Sequence, residues 1–165
     1  MAEELKIQGI TKSEKYQSLI PQIKSLVEGE NNLIANLGNI ASAIKYGMDF
    51  FWVGFYIVNG EELVLGPFQG TVACTRIKFG RGVCGAAWNR NETLIVDDVD
   101  QFPGHIACSS FSKSEIVVPG KDEKGAVLFV LDVDATEYSR FDTTDKIYLE
   151  EICKIATELF NQSIR

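Results

Sequence analysis

Hydrophobic residues recur at helical spacing near the start of the chain and again near its end. Thr11 and Glu14 have the spacing of a capping box, which predicts a helix start. The apolar positions that follow are Tyr16, Leu19, Ile20, Ile23, Leu26 and Val27. A second predicted helix, which Gly47 would end, carries on one face Leu33, Ile34, Leu37, Ile40, Ala41 and Ile44. A C-terminal helix, capped by Asp142 or a following threonine, has an apolar face of Leu149, Ile152, Cys153, Ala156, Leu159 and Phe160.

Between these helices the pattern changes to that of strands. Residues 51–58 are rich in aromatic and branched side chains, and Asn59-Gly60 then precedes residues 63–65, which predicts a hairpin with a type I′ turn. Residues 114–119 and 126–134 predict two more strands, and short apolar segments lie between residues 66 and 114. We therefore expect one α+β domain over residues 1–165. It has a central antiparallel sheet of about five or six strands, with the N-terminal and C-terminal helices on one face.

The first predicted strand has two different faces. Alternation places Phe51, Val53, Phe55 and Ile57 on one side, and Trp52, Gly54 and Tyr56 on the other. Two large aromatic side chains around a glycine leave a notch about one small ligand wide. A covering helix could equally fill such a notch, so the pattern alone leaves both interpretations open.

Acidic residues lie at the ends of two other apolar strands. Asp132 and Asp134 are two residues apart and share a face, and Glu115 lies at the start of another strand. Acids in such positions can bind a cationic group, and crowding can keep one of them protonated as an acid catalyst. The alternative is that they are solvated residues at the rim of the sheet.

Charge limits the classes of partner. The net charge of −7 and the isoelectric point near 4.8 argue against nucleic acid or an anionic membrane surface as partner. No apolar run approaches the length of a membrane span, and residues 1–6 lack the pattern of a signal peptide. We expect a cytoplasmic protein, in which clustered thiols are more often catalytic or metal-bound than structural.

Three cysteines, Cys74, Cys84 and Cys108, lie among turn residues, and Cys108 is close to His105, the single histidine of the chain. Cys153 belongs to the apolar face of the last helix and is expected in the core. A zinc site would need Cys74, Cys84, His105 and Cys108. The three cysteines are 10 and 24 residues apart, however, whereas zinc ligands usually come in close pairs, so we expect no bound metal. Several thiols suit instead a relay in which one forms a sulfenic acid and a second closes a disulfide.

Several short motifs occur together along the chain. They lie at residues 52–56 (WVGFY), 73–77 (ACTRI), 80–85 (GRGVCG), 97–99 (DDV), 102–108 (FPGHIAC), 114–119 (SEIVVP) and 131–134 (LDVD). Together they resemble one family, the free methionine-(R)-sulfoxide reductases, which are stand-alone GAF-domain enzymes. The resemblance runs from about Tyr16 to the end of the chain. One position departs from the family pattern, because Ser109 and Ser110 follow the third cysteine where an acidic residue is expected.

The resemblance implies a GAF-like fold and an activity on free methionine sulfoxide. Its ammonium group would bind Glu115, Asp132 and Asp134, and its methyl-sulfinyl end would bind Trp52 and Tyr56. It also implies that no cofactor is bound and that thioredoxin, reduced ultimately by NADPH, regenerates the thiols. The family tends to dimerise, so a homodimer is expected.

Under this hypothesis a Cys108 thiolate attacks the sulfoxide sulfur, Glu115 or one of the aspartates protonates the oxygen, and Cys74 or Cys84 closes the disulfide. Cys84 is the rival nucleophile, because a helix starting near it would favour a thiolate. The loops of Cys74 and Cys84 must then lie near Cys108. Two alternatives from other classes are a GAF-type sensor of a small molecule and a zinc-binding structural module.

Overall fold

The fold is known from a computed structural model, which describes residues 4–105 and 109–163. Its α-helices are α1 (Lys12–Val27), α2 (Leu33–Met48), α3 (Gly82–Arg90) and α4 (Thr143–Ser163). Its strands are β1 (Trp52–Asn59), β2 (Glu62–Gln69), β3 (Arg76–Lys78), β4 (Leu94–Val96), β5 (Ser114–Lys121) and β6 (Val127–Ala135). A short 3₁₀ helix covers Val99–Gln101. The three long helices predicted from the sequence are confirmed, including the capping box of Thr11 and Glu14 at the start of α1.

The strands form one sheet of six in the order β3-β2-β1-β6-β5-β4, and every neighbouring pair is antiparallel. The predicted α+β architecture is therefore confirmed. Strand β6 lies between β1 and β5, so the chain segment with Asp132 and Asp134 is central to the sheet and hydrogen-bonded on both sides.

The two faces of the sheet have different coverings. Helices α1, α2 and α4 bury one face, against the alternating residues Val53 and Phe55 of β1, Ile116 and Val118 of β5, and Phe129, Leu131 and Val133 of β6. Helix α3 and the segments around it pack on the other face, against Trp52, Tyr56, Val117 and Val130. The acidic residues of β5 and β6 belong to this second face, which is only partly covered.

Three local predictions were wrong. Asn59 is the last residue of β1, and of the two residues before β2 only Gly60 has a positive φ, at 63°, whereas a type I′ turn needs two. Helix α2 continues through Gly47 to Met48 and ends on Asp49, which takes the left-handed conformation with φ at 57°. Ile34 is 59% exposed rather than on the buried face, because it lies in the first turn of α2, away from the core.

Within residues 4–105 and 109–163, no helix has both the length and the apolar character needed to cross a membrane.

Candidate functional site

A cleft opens on the sheet face that carries α3. Strand β1 contributes Trp52 and Tyr56 to its wall, β5 contributes Glu115, β6 contributes Asp132 and Asp134, and α3 contributes Cys84. The rest of the wall consists of Thr71, Val72 and Ala73, together with His105, Ser109 and Ser112. The structure thus brings together every described residue proposed from the sequence except Cys74, which directly follows residues 71–73. Cys108 lies outside the described residues.

Strand register explains how the three acidic residues meet. Glu115 of β5 is paired directly with Asp134 of β6, and Asp132 lies two residues away on the same face. Glu115 is 6% exposed and Asp132 is 7% exposed. The sequence-based prediction that Asp132 and Asp134 share a face is confirmed. The alternative that Glu115 and Asp132 are solvated rim residues is excluded by their burial.

These buried carboxyl groups lack a positively charged partner among the described residues, since none of the ion pairs there includes them. Burial, followed by the charges of the neighbouring aspartates, raises the pKa of Glu115 well above its usual value. Burial and the charge of Asp132 likewise raise the pKa of Asp134. Burial raises the pKa of Asp132 less, to about 6, because Cys84 and Glu115 hydrogen-bond to it.

The different shifts distinguish Asp132 from Glu115 at neutral pH. A pKa of about 6 favours the ionised form of Asp132, whereas the raised pKa of Glu115 favours its protonated form, which can donate a proton. The Oδ1 atom of Asp132 is buried and has no hydrogen-bond partner in the part of the chain described. A buried acceptor without a partner is costly, so this end of the cleft is suited to a ligand with a positively charged donor group.

Cys84 lies beside these acids. Its Sγ is 3.9 Å from Oε1 of Glu115, and the thiol is fully enclosed in the second-face core. Helix α3 begins at Gly82, as expected, and Cys84 is its third residue. Burial and the neighbouring charges of Asp132 and Glu115 nevertheless raise the pKa of Cys84 well above its usual value. The thiol therefore stays protonated, which argues against Cys84 as the attacking group.

A metal ion could in principle use the same groups. One ligand atom each from Cys84, Glu115 and Asp132 lies within 4.8 Å of the other two. The zinc hypothesis required a different set, in which Cys84 was combined with Cys74, His105 and Cys108.

The notch predicted between Trp52 and Tyr56 is filled by Trp52 itself. A Cβ atom at Gly54 would lie 2.3 Å from the Trp52 ring, and one at Gly70 would also lie 2.3 Å from it. The indole is therefore sandwiched between two glycines, and it stacks on Phe68 with ring centroids 5.4 Å apart. The notch is therefore closed by the Trp52 side chain, which folds over Gly54 of the same strand, and not by a covering helix. The remaining surfaces of Trp52 and Tyr56 line the cleft.

Both aromatic residues hold the segment that leads to Cys74. Nε1 of Trp52 donates a hydrogen bond to the carbonyl oxygen of Thr71 at 2.9 Å. The hydroxyl group of Tyr56 donates one to the carbonyl oxygen of Cys74, also at 2.9 Å. Cys74 is disulfide-bonded, whereas Cys84 and Cys153 are free thiols. Cys153 is buried in the core between α4 and the sheet, as predicted.

The residues on either side of 106–108 approach the cleft. His105 precedes these residues and Ser109 follows them, and both line the cleft. Burial lowers the pKa of His105, so its imidazole is neutral at pH 7. Ser109, which replaces the acidic residue of the family pattern, thus also faces the cleft.

Sequence reasoning did not identify two polar contributors, Thr71 and Ser112. Ser112 is 8% exposed and its hydrogen bond to Asp134 partly opposes the rise in that pKa. Both residues precede strands in irregular segments, where neither helical nor strand periodicity predicts which way a side chain points. The sequence offered one signal for Ser112, which is its position just before the strand predicted at residues 114–119.

Known proteins with similar sequences are consistent with the site geometry described above. No protein-family model matches the chain. It is 57% identical over 156 residues to GAF domain-containing protein A of Dictyostelium discoideum, covering 94% of this chain and 98% of that protein. It is 44% identical over 154 residues to the free methionine-R-sulfoxide reductase of Saccharomyces cerevisiae, covering 88% and 86%.

Solved structures extend the similarity to the backbone. The free methionine-R-sulfoxide reductase of Neisseria meningitidis, solved in complex with its substrate, matches with a TM-score of 0.93. The two are 49% identical over 97% of this chain and 96% of that one. A solved GAF domain matches with a TM-score of 0.87, at 40% identity over 93% and 91% of the two chains. The six-stranded sheet with its terminal helices is therefore the GAF fold.

Proposed function

The chain belongs to the free methionine-R-sulfoxide reductase family, and we propose that it reduces free methionine (R)-sulfoxide to methionine. The observation that carries this proposal is a group of three carboxyl groups, of which Glu115 and Asp132 are buried and Asp134 is half-buried, in a cleft that Trp52 and Tyr56 also line. This arrangement combines a site for a cation with a site for a small apolar group.

The charges of the cleft support a free amino acid as the substrate. Its ammonium group supplies the positive donor that Asp132 Oδ1 lacks in the described structure. In a peptide the same nitrogen is a neutral amide, which would leave the charge of Asp132 unpaired and buried. The methyl-sulfinyl end is proposed to contact Trp52 and Tyr56, because their rings offer polarizable apolar surfaces that suit sulfur.

The first chemical step is proposed to use Cys108. Its sulfur attacks the sulfoxide sulfur, and the oxygen takes a proton and is transferred to Cys108, so that methionine leaves and Cys108 becomes a sulfenic acid. Glu115 is the proposed proton donor, since its raised pKa keeps it protonated at neutral pH. The approach of His105 and Ser109 to the cleft supports this role for Cys108, as does the buried protonated state of Cys84.

The second step is proposed to join Cys108 and Cys74. The thiol of Cys74 attacks the sulfenic acid sulfur, an S–S bond replaces the S–O bond, and water leaves with the thiol proton. The disulfide at Cys74 supports its role as the resolving cysteine. Thioredoxin is the proposed reductant, with electrons ultimately from NADPH and without a bound cofactor. We also propose a homodimer and a cytoplasmic location.

NADPH oxidation coupled through thioredoxin reductase and thioredoxin tests the activity. The separated R and S forms of free methionine sulfoxide and an N-acetylated peptide sulfoxide serve as substrates. Turnover of the free R form alone is expected. Turnover of neither free form, or equal turnover of the peptide sulfoxide, would overturn the proposal.

A further inference from the structure

The segment that carries Cys74 is anchored mainly by the walls of the cleft. Residues 70–75 connect β2 to β3 without regular structure, and Val72 at its centre is 87% exposed. Gly70 has a φ of 144°, a conformation that favours glycine and lets the chain pass against the Trp52 ring. Beyond Gly70, the segment turns away from the sheet until Thr75 accepts a hydrogen bond from Leu65 at 3.0 Å.

Two side-chain donors span this interval among the described residues. They are the indole of Trp52, bonded to Thr71, and the hydroxyl of Tyr56, bonded to Cys74. Tyr56 is 1% exposed, and its ring is fixed in the second-face core beside Trp52. The hydroxyl is therefore a rigid donor, and its acceptor is the carbonyl group of the redox-active residue itself.

We propose that Tyr56 is a positioning residue for disulfide closure, because its hydroxyl holds the backbone of Cys74 where the thiol can meet a sulfenic acid. This inference rests on the proposed function, because that function gives the disulfide its role. It assigns Tyr56 a second role in addition to contact with the substrate. A loose segment would have to be ordered each time the disulfide closes, whereas the hydrogen bond keeps it ordered beforehand. Tyr56 thus lines the cleft during methionine release and also positions Cys74 for disulfide closure.

Buried tyrosine hydroxyls can be un-ionised or ionised, and only the first can donate. Burial and the nearby charges of Asp132 and Cys84 raise the pKa of Tyr56 well above its usual value. The raised pKa favours the protonated hydroxyl, which is the form that donates to the carbonyl oxygen of Cys74.

Single-turnover measurements on Tyr56→Phe test the inference by separating the two steps. Methionine release is followed by chromatography, and closure is followed by the loss of a dimedone-reactive sulfenic acid. Loss of one hydrogen bond is expected to slow closure about fivefold relative to methionine release. Tyr148→Phe is the matched control, because that hydroxyl bonds Ser13 and Gln17 between α1 and α4, away from the cleft. Equal slowing of both steps, or no slowing of closure, would overturn the inference.

A substrate-free measurement separates this role from substrate binding. The disulfide of Cys74 is equilibrated with glutathione buffers, and the oxidised fraction is read by mass spectrometry after thiol trapping. Tyr56→Phe is expected to lower the equilibrium constant for oxidation about fivefold, and Trp52→Phe is expected to lower it in the same direction. Unchanged equilibria in both variants would refute positioning. If the wild-type protein released no methionine, the proposed function would fail while this equilibrium still tested Tyr56.

Discussion

The thiol of Cys84 and the carboxyl group of Glu115 face each other across 3.9 Å inside a buried part of the cleft. Helix α3 supplies the thiol and strand β5 supplies the acid, so the contact joins elements 31 residues apart. Burial raises the pKa of both groups, which keeps a proton on each at neutral pH. The raised pKa values favour a hydrogen bond between the two groups and disfavour the thiolate form that nucleophilic attack requires.

Serine variants of Cys74, Cys84 and Cys108 are expected to behave differently in single-turnover assays. Cys108→Ser should release no methionine, because the attacking sulfur is gone. Cys74→Ser should release about one equivalent per chain and then stop, because the sulfenic acid is not resolved. Cys84→Ser should continue to turn over. Intact-mass analysis after one equivalent of substrate checks each state.

A different distribution of oxidation would revise these roles. Oxidation found on Cys84 in the Cys108→Ser protein, together with methionine release, would make Cys84 the nucleophile. Cys153→Ser is the matched control for removing a buried thiol away from the cleft, and it should keep full turnover.

Glu115→Gln is expected to lower kcat by about 100-fold or more, because an amide of the same shape cannot supply an acidic proton. The measurement is steady-state turnover with saturating free (R)-sulfoxide. Glu123→Gln changes an exposed glutamate in the turn between β5 and β6 and should leave kcat unchanged. A Glu115→Gln enzyme with nearly normal kcat would assign proton donation to another group.

The buried charge of Asp132 predicts how stability depends on pH. Its pKa rises from an ordinary 3.8 to about 6 on folding, so the folded state holds this proton more tightly than the unfolded state. The associated stability is present below about pH 4 and is lost as the pH rises through 6. Asp132→Asn should therefore increase the free energy of unfolding by roughly 3 kcal/mol at pH 8 and by little at pH 4.

Urea unfolding of both proteins at the two pH values checks this expectation. Asp97→Asn, at an exposed position, should show no such difference between the two pH values. A stabilisation by Asp132→Asn that is the same at pH 4 and pH 8 would show that charge burial is not its cause.

Because Gly54 lies directly against the Trp52 ring, adding a methyl group at position 54 is expected to affect both stability and substrate binding. Gly54→Ala should push the indole from its position, which costs about 1–3 kcal/mol of stability and raises KM for the sulfoxide. Gly38→Ala is the opposite case, because a Cβ there meets no atom within 4 Å and the residue lies inside α2. That variant should be slightly more stable with unchanged KM. An unchanged KM in Gly54→Ala would show that substrate binding does not depend on the position of the Trp52 ring.

The local sequence pattern was sufficient to predict several structural features of this protein. Helical spacing predicted α1, α2 and α4, and strand alternation placed Asp132 and Asp134 on one face, because both periods follow from backbone geometry alone. The cysteine motifs indicated the family. These features depend on residues that are neighbours in the chain, so the sequence by itself determines them.

Tertiary structure decided how those pieces meet. The β5–β6 register sets Glu115 opposite Asp134, and the packing of α3 brings Cys84 to the same acids and reverses the expected effect of a helix start on its thiol. Only packing shows that Trp52 fills the notch at Gly54. The burial of each side chain depends on contacts between segments that are distant in the sequence, and the pKa shifts follow from that burial. A pattern of adjacent residues does not encode these contacts, so only the folded chain shows the burial and pKa shifts of the cleft residues.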